Sequence, residues 1–410
     1  MIFDGKTRAL GGTSRPRESL VARVVRRMIA QIEFGHITVV LPTSDRIEHS
    51  GNRAGPSAAL VLHRWRAIRR LVSEGDLGFA EAYIDGDWSS PDLALLLELA
   101  AQNIAVLDSR ISGFLPVRML NRVRHFLRAN SKSGSRRNIS FHYDLGNGFY
   151  QHWLDPSMTY SSALFTHPDQ TLEDAQGAKL SRIVELLDLR GGEKVLEIGC
   201  GWGALAITLA RSGARVTGVT LSREQLALAL ERVEQEALVN RVALELTDYR
   251  DIEGSYDRIV SIEMLEAVGE AYWPVYFKTL HDRLNAGGIA VLQVITIDEA
   301  RFESYRRSAD FIQRHIFPGG MLPTRAIIAD QAKAANLRLV SSQSFGKDYA
   351  KTVCEWRRRF LASWPRIKAM GFPDSFRRLW EYYLCYCEAG FNAGTIDVGL
   401  YVLSQADATT

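Results

Sequence analysis

The chain has 410 residues, 46% hydrophobic and 24% charged, a balance that suits a folded protein with room for two domains. A formal net charge of only +3 argues against a protein that seeks polyanions with its whole surface, and no run of 18 apolar residues reads as a membrane span. Cys200, Cys354, Cys385 and Cys387 are too few and too unevenly placed for a disulfide framework, and one residue between the last two is poor spacing for zinc.

These cysteines read as reduced thiols of a cytosolic protein, and no metal site is expected. The opening MIFDGKTRALGG carries an acid and lacks an apolar core, so it does not read as a signal peptide. Residues 16–32 predict an amphipathic helix, with Leu20, Val21, Val24, Val25, Met28, Ile29 and Ile32 on one stripe and Arg23, Arg26 and Arg27 off it. ITVVLP predicts a strand and residues 58–73 a second helix. GFAEAYIDGDW reads as irregular, followed by a helix capped by Ser90 with Pro91 at its first position. Together these predict a small α+β domain over residues 1–113.

A basic linker over 114–137 comes next. From Arg110 to Tyr143 there is no acid, while Arg118, Arg122, Arg124, Arg128, Lys132, Arg136 and Arg137 accumulate. A solvated linker is the plain reading. An anionic lipid surface is the sharper one, at about 1 kcal/mol per basic side chain near such a surface.

Strands and helices then alternate through residues 138–410. A helix over 173–188 precedes the strand KVLEIGC, and helices at 203–212, 222–237 and 271–285 interleave with RVTGVT, VALELT, DRIVSIE and GIAVLQVIT. LRLVSSQSF and DVGLYVLSQ add two further strands. The pattern predicts an α/β fold with a doubly wound, mostly parallel sheet. Residues 299–323 and 350–392 are helical, aromatic insertions placed to roof a pocket.

VLEIGCGWG is the strongest motif. A strand runs into Gly199, Gly201 and Gly203 and then a helix, so the backbone can approach a ligand closely. The acid Glu197 precedes the turn, and the third spacing of a pyrophosphate motif is absent. This suits a ligand with a ribose and a positive charge, such as S-adenosylmethionine, better than a dinucleotide. Thr220, Ser222 and Gln225 follow the second strand, and Tyr249 and Arg250 follow the third.

HYDLGNGFYQHWLDPSMTYSSALF, VLEIGCGWG, GVTLSREQ, MLEAVG, FGKDYAKT and YCEAGFNAG together resemble the cyclopropane-fatty-acyl-phospholipid synthases, whose relatives include the mycolic-acid cyclopropane synthases and methyltransferases. GFAEAYIDGDW extends the resemblance to the N-terminal region. The resemblance implies a Rossmann-like class I S-adenosylmethionine methyltransferase fold with a seven-stranded, mostly parallel sheet and a small N-terminal α+β lipid-interacting domain. It places cofactor contacts on Tyr160, Ser161, Glu197, Gly199, Gly201, Gly203, Thr220, Leu221, Gln225, Tyr249, Arg250 and Ile262. It also implies a bound bicarbonate held by Glu266, Tyr349 and a backbone group near Ile295, with Cys387 close by. Two positions depart from the family pattern around that anion: Ser162 stands where relatives carry Cys, and Gln293 where they carry His. Ala267 also replaces a common His after the glutamate.

The resemblance further implies transfer from S-adenosylmethionine to the double bond of unsaturated phospholipid acyl chains at the cytoplasmic face of a membrane, with peripheral association and a homodimer. Cyclopropane formation is the leading expectation. C-methylation to a methyl or methylene branch, finished by a separate reductase, is the alternative that Ser162 and Gln293 suggest. A small-molecule methyltransferase and a non-catalytic relic are weaker alternatives. No nucleic-acid partner is expected, because the tetrapeptide used for exocyclic base amines is missing. Tyr249, Phe302, Phe311, Phe317 and Phe391 are candidate faces for a carbocation.

Overall fold

The computed structural model describes residues 20–104, 145–307 and 310–406. The acid-free stretch from Arg110 to Tyr143, and with it the predicted linker, lies outside them.

The N-terminal part contains helix α1 (Leu20–Ile29), strands β1 (Phe34–Val40), β2 (Arg46–Ser50) and β3 (Arg53–Leu62), helix α2 (Arg66–Ile84), the short strand β4 (Trp88–Ser89) and helix α3 (Leu93–Gln102). The four strands form one sheet in the order β2-β1-β3-β4, with β1 antiparallel to β2 and parallel to β3. Ile37 and Val39 of β1 and Ala58, Leu60 and Leu62 of β3 alternate inward, the period of a half-buried strand.

Three expectations are corrected here. Residues 58–62 are strand, not helix: the run AALVL has good helix formers, but pairing along β1 overrides that preference. The helix starts at Arg66 and continues through GFAEAYI, with a break at Gly75, whose φ of 71° and ψ of −149° are non-helical. The next helix is capped by Asp92, whose side chain accepts from the Leu95 amide at 3.0 Å, rather than by Ser90.

The second part begins, among the described residues, with α4 (Asn147–Gln151) and α5 (Leu172–Leu186). It continues through β5 (Lys194–Ile198), α6 (Ala204–Arg211), β6 (Arg215–Thr220), α7 (Arg223–Gln235), β7 (Val242–Leu246), β8 (Tyr256–Ile262), α8 (Leu265–Val268), α9 (Trp273–Arg283) and β9 (Leu284–Ile297). It ends with α10 (Glu299–Arg307), α11 (Phe311–His315), α12 (Arg325–Ala334), β10 (Leu337–Ser344), α13 (Gly346–Ala369), α14 (Asp374–Asn392) and β11 (Ile396–Gln405). Seven strands form one sheet in the order β10-β11-β9-β8-β5-β6-β7. β11 runs antiparallel to both neighbours, and the five strands from β9 to β7 are parallel. The chain leaves β5 towards β6 and β7, then returns to β8 and β9 on its other side. That reversal opens a crevice at the carboxyl ends of β5 and β8, where ligands of doubly wound sheets sit.

α13 and α14 cover this crevice with aromatic side chains. Phe149, Trp153, Trp356, Phe360 and Trp380 are all at most 2% exposed and pack against one another. α14 also packs against the N-terminal part. Tyr382 packs on Tyr83 at 5.7 Å and on Trp88 at 6.4 Å, Asn392 donates to Glu98, and Arg378 donates to the Ile84 carbonyl.

Candidate active site

The glycine turn after β5 forms the floor of the site. Gly199 has φ of +86°, and a Cβ there would lie 3.3 Å from the Met264 side chain, so both conformation and space favour glycine. Gly201 has φ of +51° and open space around it, as a surface for close ligand approach requires. Gly203 caps α6 and presses on Ala229, where a Cβ would come within 3.2 Å. Glu197 is 3% exposed, and its Oε2 has no hydrogen-bond partner. Burial pushes its pKa up to about 8, against the pull of Lys179.

The loop MTYSSALF crosses above this floor. Its entry is a tight turn, with Met158 at φ of +57°. Tyr160 lies among Tyr150, Trp153 and Trp356, and its hydroxyl bonds that of Tyr383 at 2.8 Å. Ser161 is gripped from α5: Gln176 donates to its carbonyl at 2.9 Å, and the buried Lys179 ammonium donates to its hydroxyl at 2.7 Å. Burial brings the Lys179 pKa down to about 8, while Glu263, Asp155 and Glu197 pull it upward.

Thr220 and Gln225 are buried and hydrogen-bond each other at 3.2 Å, and Leu221 lies beside them on the cavity wall. Tyr249 and Ile262 also line the cavity. Arg250 is absent from the described lining. Its guanidinium forms a two-point pair with Asp248, at 2.7 and 2.6 Å, and lies over the rings of Tyr249 and Tyr272. Among the five candidate aromatic faces, Tyr249, Phe317 and Phe391 line the cavity, whereas Phe302 and Phe311 are buried core side chains outside its described wall.

The centre of the site is a carboxylate outside the residues predicted from the sequence. Glu263 follows β8 in the left-handed region, with φ of +49°, which is unusual for a non-glycine residue. Its Oε1 accepts from the Ser162 amide at 2.9 Å and from Gln293 Nε2 at 2.7 Å, and its Oε2 accepts from the Tyr349 hydroxyl at 2.5 Å. The Ser162 hydroxyl turns away and donates to the Ala163 carbonyl. Three groups expected around an anion therefore converge on a side chain of the protein itself. Burial raises the Glu263 pKa, while the bonds from Tyr349, Ser162 and Gln293 and the Lys179 charge oppose the rise.

Glu266 stands next to it with a different part. Its Oε1 accepts from the Ile295 amide at 2.5 Å, and its Oε2 has no partner. Burial, then the neighbouring Glu263, push its pKa up to about 8. Of the two buried carboxyls, Glu263 has the more hydrogen bonds, so a negative charge on the pair is better accommodated there than on Glu266. Cys387 lines the same cavity as Tyr349 and Phe391, whose rings stack at 4.5 Å. A signal for Glu263 existed in the sequence: an acid ends the apolar strand VSIE, three residues before Glu266. Lys179 gave less, since one lysine on a helix normally reads as surface.

The residues fit S-adenosylmethionine. An unpartnered buried carboxylate oxygen suits a cationic ligand, the glycine floor leaves room for it, and Tyr249 offers a flat face. Among the described residues no cluster could hold a metal ion, and no helix is long and apolar enough to cross a membrane.

The family model for mycolic acid cyclopropane synthetase matches residues 130–400. A tuberculostearic acid methyltransferase of Mycobacterium tuberculosis is 41% identical over 399 residues, covering 95% of this chain and 92% of that protein. The cyclopropane-fatty-acyl-phospholipid synthase of Escherichia coli K12 is 36% identical over 343 residues, covering 82% and 85%. Among solved structures, a mycolic acid cyclopropane synthase complexed with SAH and CTAB is 31% identical, with a TM-score of 0.63, over 66% of this chain and 98% of that one. The chain belongs to the mycolic acid cyclopropane synthetase family and is an S-adenosylmethionine-dependent methyltransferase.

Proposed function

We propose that this family member methylates the double bond of an unsaturated phospholipid acyl chain and releases a methylene-branched chain, with Glu263 as the base. The observation that carries the reading is the Glu263 carboxylate filling the place expected for bicarbonate. A second anion there would have to displace bonds that Ser162, Gln293 and Tyr349 already make to Glu263, so the residues present do not fit bicarbonate.

S-adenosylmethionine, when bound, supplies an electrophilic methyl beside the alkene. Tyr160, Ser161 and the glycine floor would hold that cofactor, and Glu197 would meet its ammonium. The aromatic lid excludes water, which an alkene, a weak nucleophile, requires. The new carbon–carbon bond leaves a cation on the neighbouring alkene carbon, and the faces of Phe391 and Phe317 suit such a charge. A hydride then shifts from the methylated carbon to its neighbour. Glu263 removes a proton from the transferred methyl, and the electrons of that C–H bond become the exocyclic double bond.

Ring closure is the second reading. It uses the same proton but forms a bond from the transferred carbon to the unshifted cation. Three hydrogen bonds fix the Glu263 carboxylate in one position, so where it stands relative to the transferred methyl decides whether the shift or ring closure comes first. The similarity to a tuberculostearic acid methyltransferase along most of the chain supports the branched product. A separate reductase would then saturate the methylene group.

The test is purified enzyme with methyl-labelled cofactor and an oleoyl phospholipid, read by NMR. Exocyclic methylene resonances support the reading, and cyclopropane resonances alone overturn it. Both products add one CH2, so mass does not decide.

A further inference from the structure

The cavity of the active site continues into the N-terminal domain. It is one space of about 980 Å3, near the top of the range of roughly 300–1,000 Å3 for small-molecule sites. Its described lining has three zones. One end is the cofactor floor and the Glu263 cluster. The other is the interior of the N-terminal domain, walled by Val25 and Ile29 of α1, Val39 of β1, Leu60 of β3 and Leu97 and Ala101 of α3. Between them lie polar and charged residues: Glu74 and Asp76 at the break in α2, Arg301 and Ser304 of α10, and Asp310 before α11. Asp76 and Ser304 are exposed, so this waist meets solvent.

Packed cores hold few voids larger than water. A small domain whose core side chains wall a cavity is therefore built around something. Beyond the waist, every described residue of that domain on the wall is apolar, so the occupant there carries no charge. A single acyl chain threaded from one end to the other would lay methylenes against Glu74, Asp76, Arg301 and Asp310. A diacyl glycerophospholipid has the matching order: apolar chain, polar glycerophosphate, apolar chain.

We propose that the N-terminal domain houses the second, non-reacting acyl chain of a diacyl phospholipid, while the reacting chain enters the catalytic arm and the glycerophosphate rests at the charged waist. Arg301 is the basic side chain there for the phosphate diester, and the acids Glu74 and Asp76 suit a headgroup that carries an ammonium, as phosphatidylcholine does. The proposal rests on the acyl-lipid reading of the active site and adds that the enzyme selects diacyl over monoacyl lipids.

The test uses the full chain, S-adenosylhomocysteine and a phosphatidylcholine with one oleoyl chain and one saturated chain ending in a photoreactive diazirine. Crosslinks are expected on peptides containing residues 25–39 and 96–104. Crosslinks confined to the catalytic domain overturn the proposal. In turnover, oleoyl lysophosphatidylcholine is expected to show a KM at least about tenfold above that of the diacyl lipid, a gap that burying as few as two further methylenes already supplies. Ala101→Phe is expected to narrow that gap, and equal KM values in the wild type count against the proposal. Should Ala101→Phe fail to fold, the crosslinks decide. Failure of the acyl-lipid reading looks different: no methylated product from either lipid.

Discussion

The Tyr349 hydroxyl donates to the Glu263 carboxylate across 2.5 Å, joining residues 86 positions apart in the chain. This bond ties the lid helix α13 to the end of β8. It makes Glu263 the meeting point of the cofactor loop, the sheet and the lid.

Glu263→Gln keeps the shape and removes the base. Its kcat is expected to fall by about 10²–10⁴-fold, with affinity for S-adenosylhomocysteine kept within a few fold. Single-turnover assays and calorimetry read the two quantities separately. An unchanged kcat removes Glu263 from the chemistry.

Glu263→Gly relieves a left-handed backbone, which glycine adopts without strain. It also frees the Ser162 amide, Gln293 and Tyr349 to bind a small anion. Its residual activity is expected to rise at least several-fold with added bicarbonate, while the wild type does not respond. A titration of bicarbonate against rate checks both.

Tyr349→Phe removes a donor that lowers the Glu263 pKa. The pKa should therefore rise, and the acid limb of the kcat/KM profile should move to higher pH. The expected loss at neutral pH is about tenfold, shrinking as pH increases. A limb that stays in place, or moves to lower pH, contradicts the assignment.

The cofactor-free protein should lose stability from about pH 5 to pH 8. Glu197 and Glu266 are held near 8 in the fold against a reference value of 4.5. Between those values the native state keeps protons that the unfolded chain has released, so their contribution is full at low pH and vanishes as pH rises. Lys179, near 8 against 10.5, has lost its proton in the fold before the unfolded chain does, so stability recovers between those values. Thermal melts across this range should show the fall, and Glu197→Gln should flatten it.

Much of this arrangement is legible in the sequence. The alternation of strands and helices and the turn VLEIGCGWG are local signals, and they place the crevice and its floor. The N-terminal strands were harder, because AALVL carries helix propensity and becomes β3 only through pairing with β1. Glu263 was hidden for another reason. Its meaning lies in three donors from distant segments, Ser162, Gln293 and Tyr349, which no spacing rule links. Ser162 and Gln293 stand out in the sequence as departures from a pattern, yet only the fold brings between them the side chain they accommodate.

The most direct measurement is turnover of an oleoyl phospholipid by purified enzyme in buffer stripped of carbon dioxide, with the product resolved by NMR. The account predicts an undiminished rate and a methylene-branched product. A rate that collapses until bicarbonate is restored, with cyclopropane as the product, would contradict it.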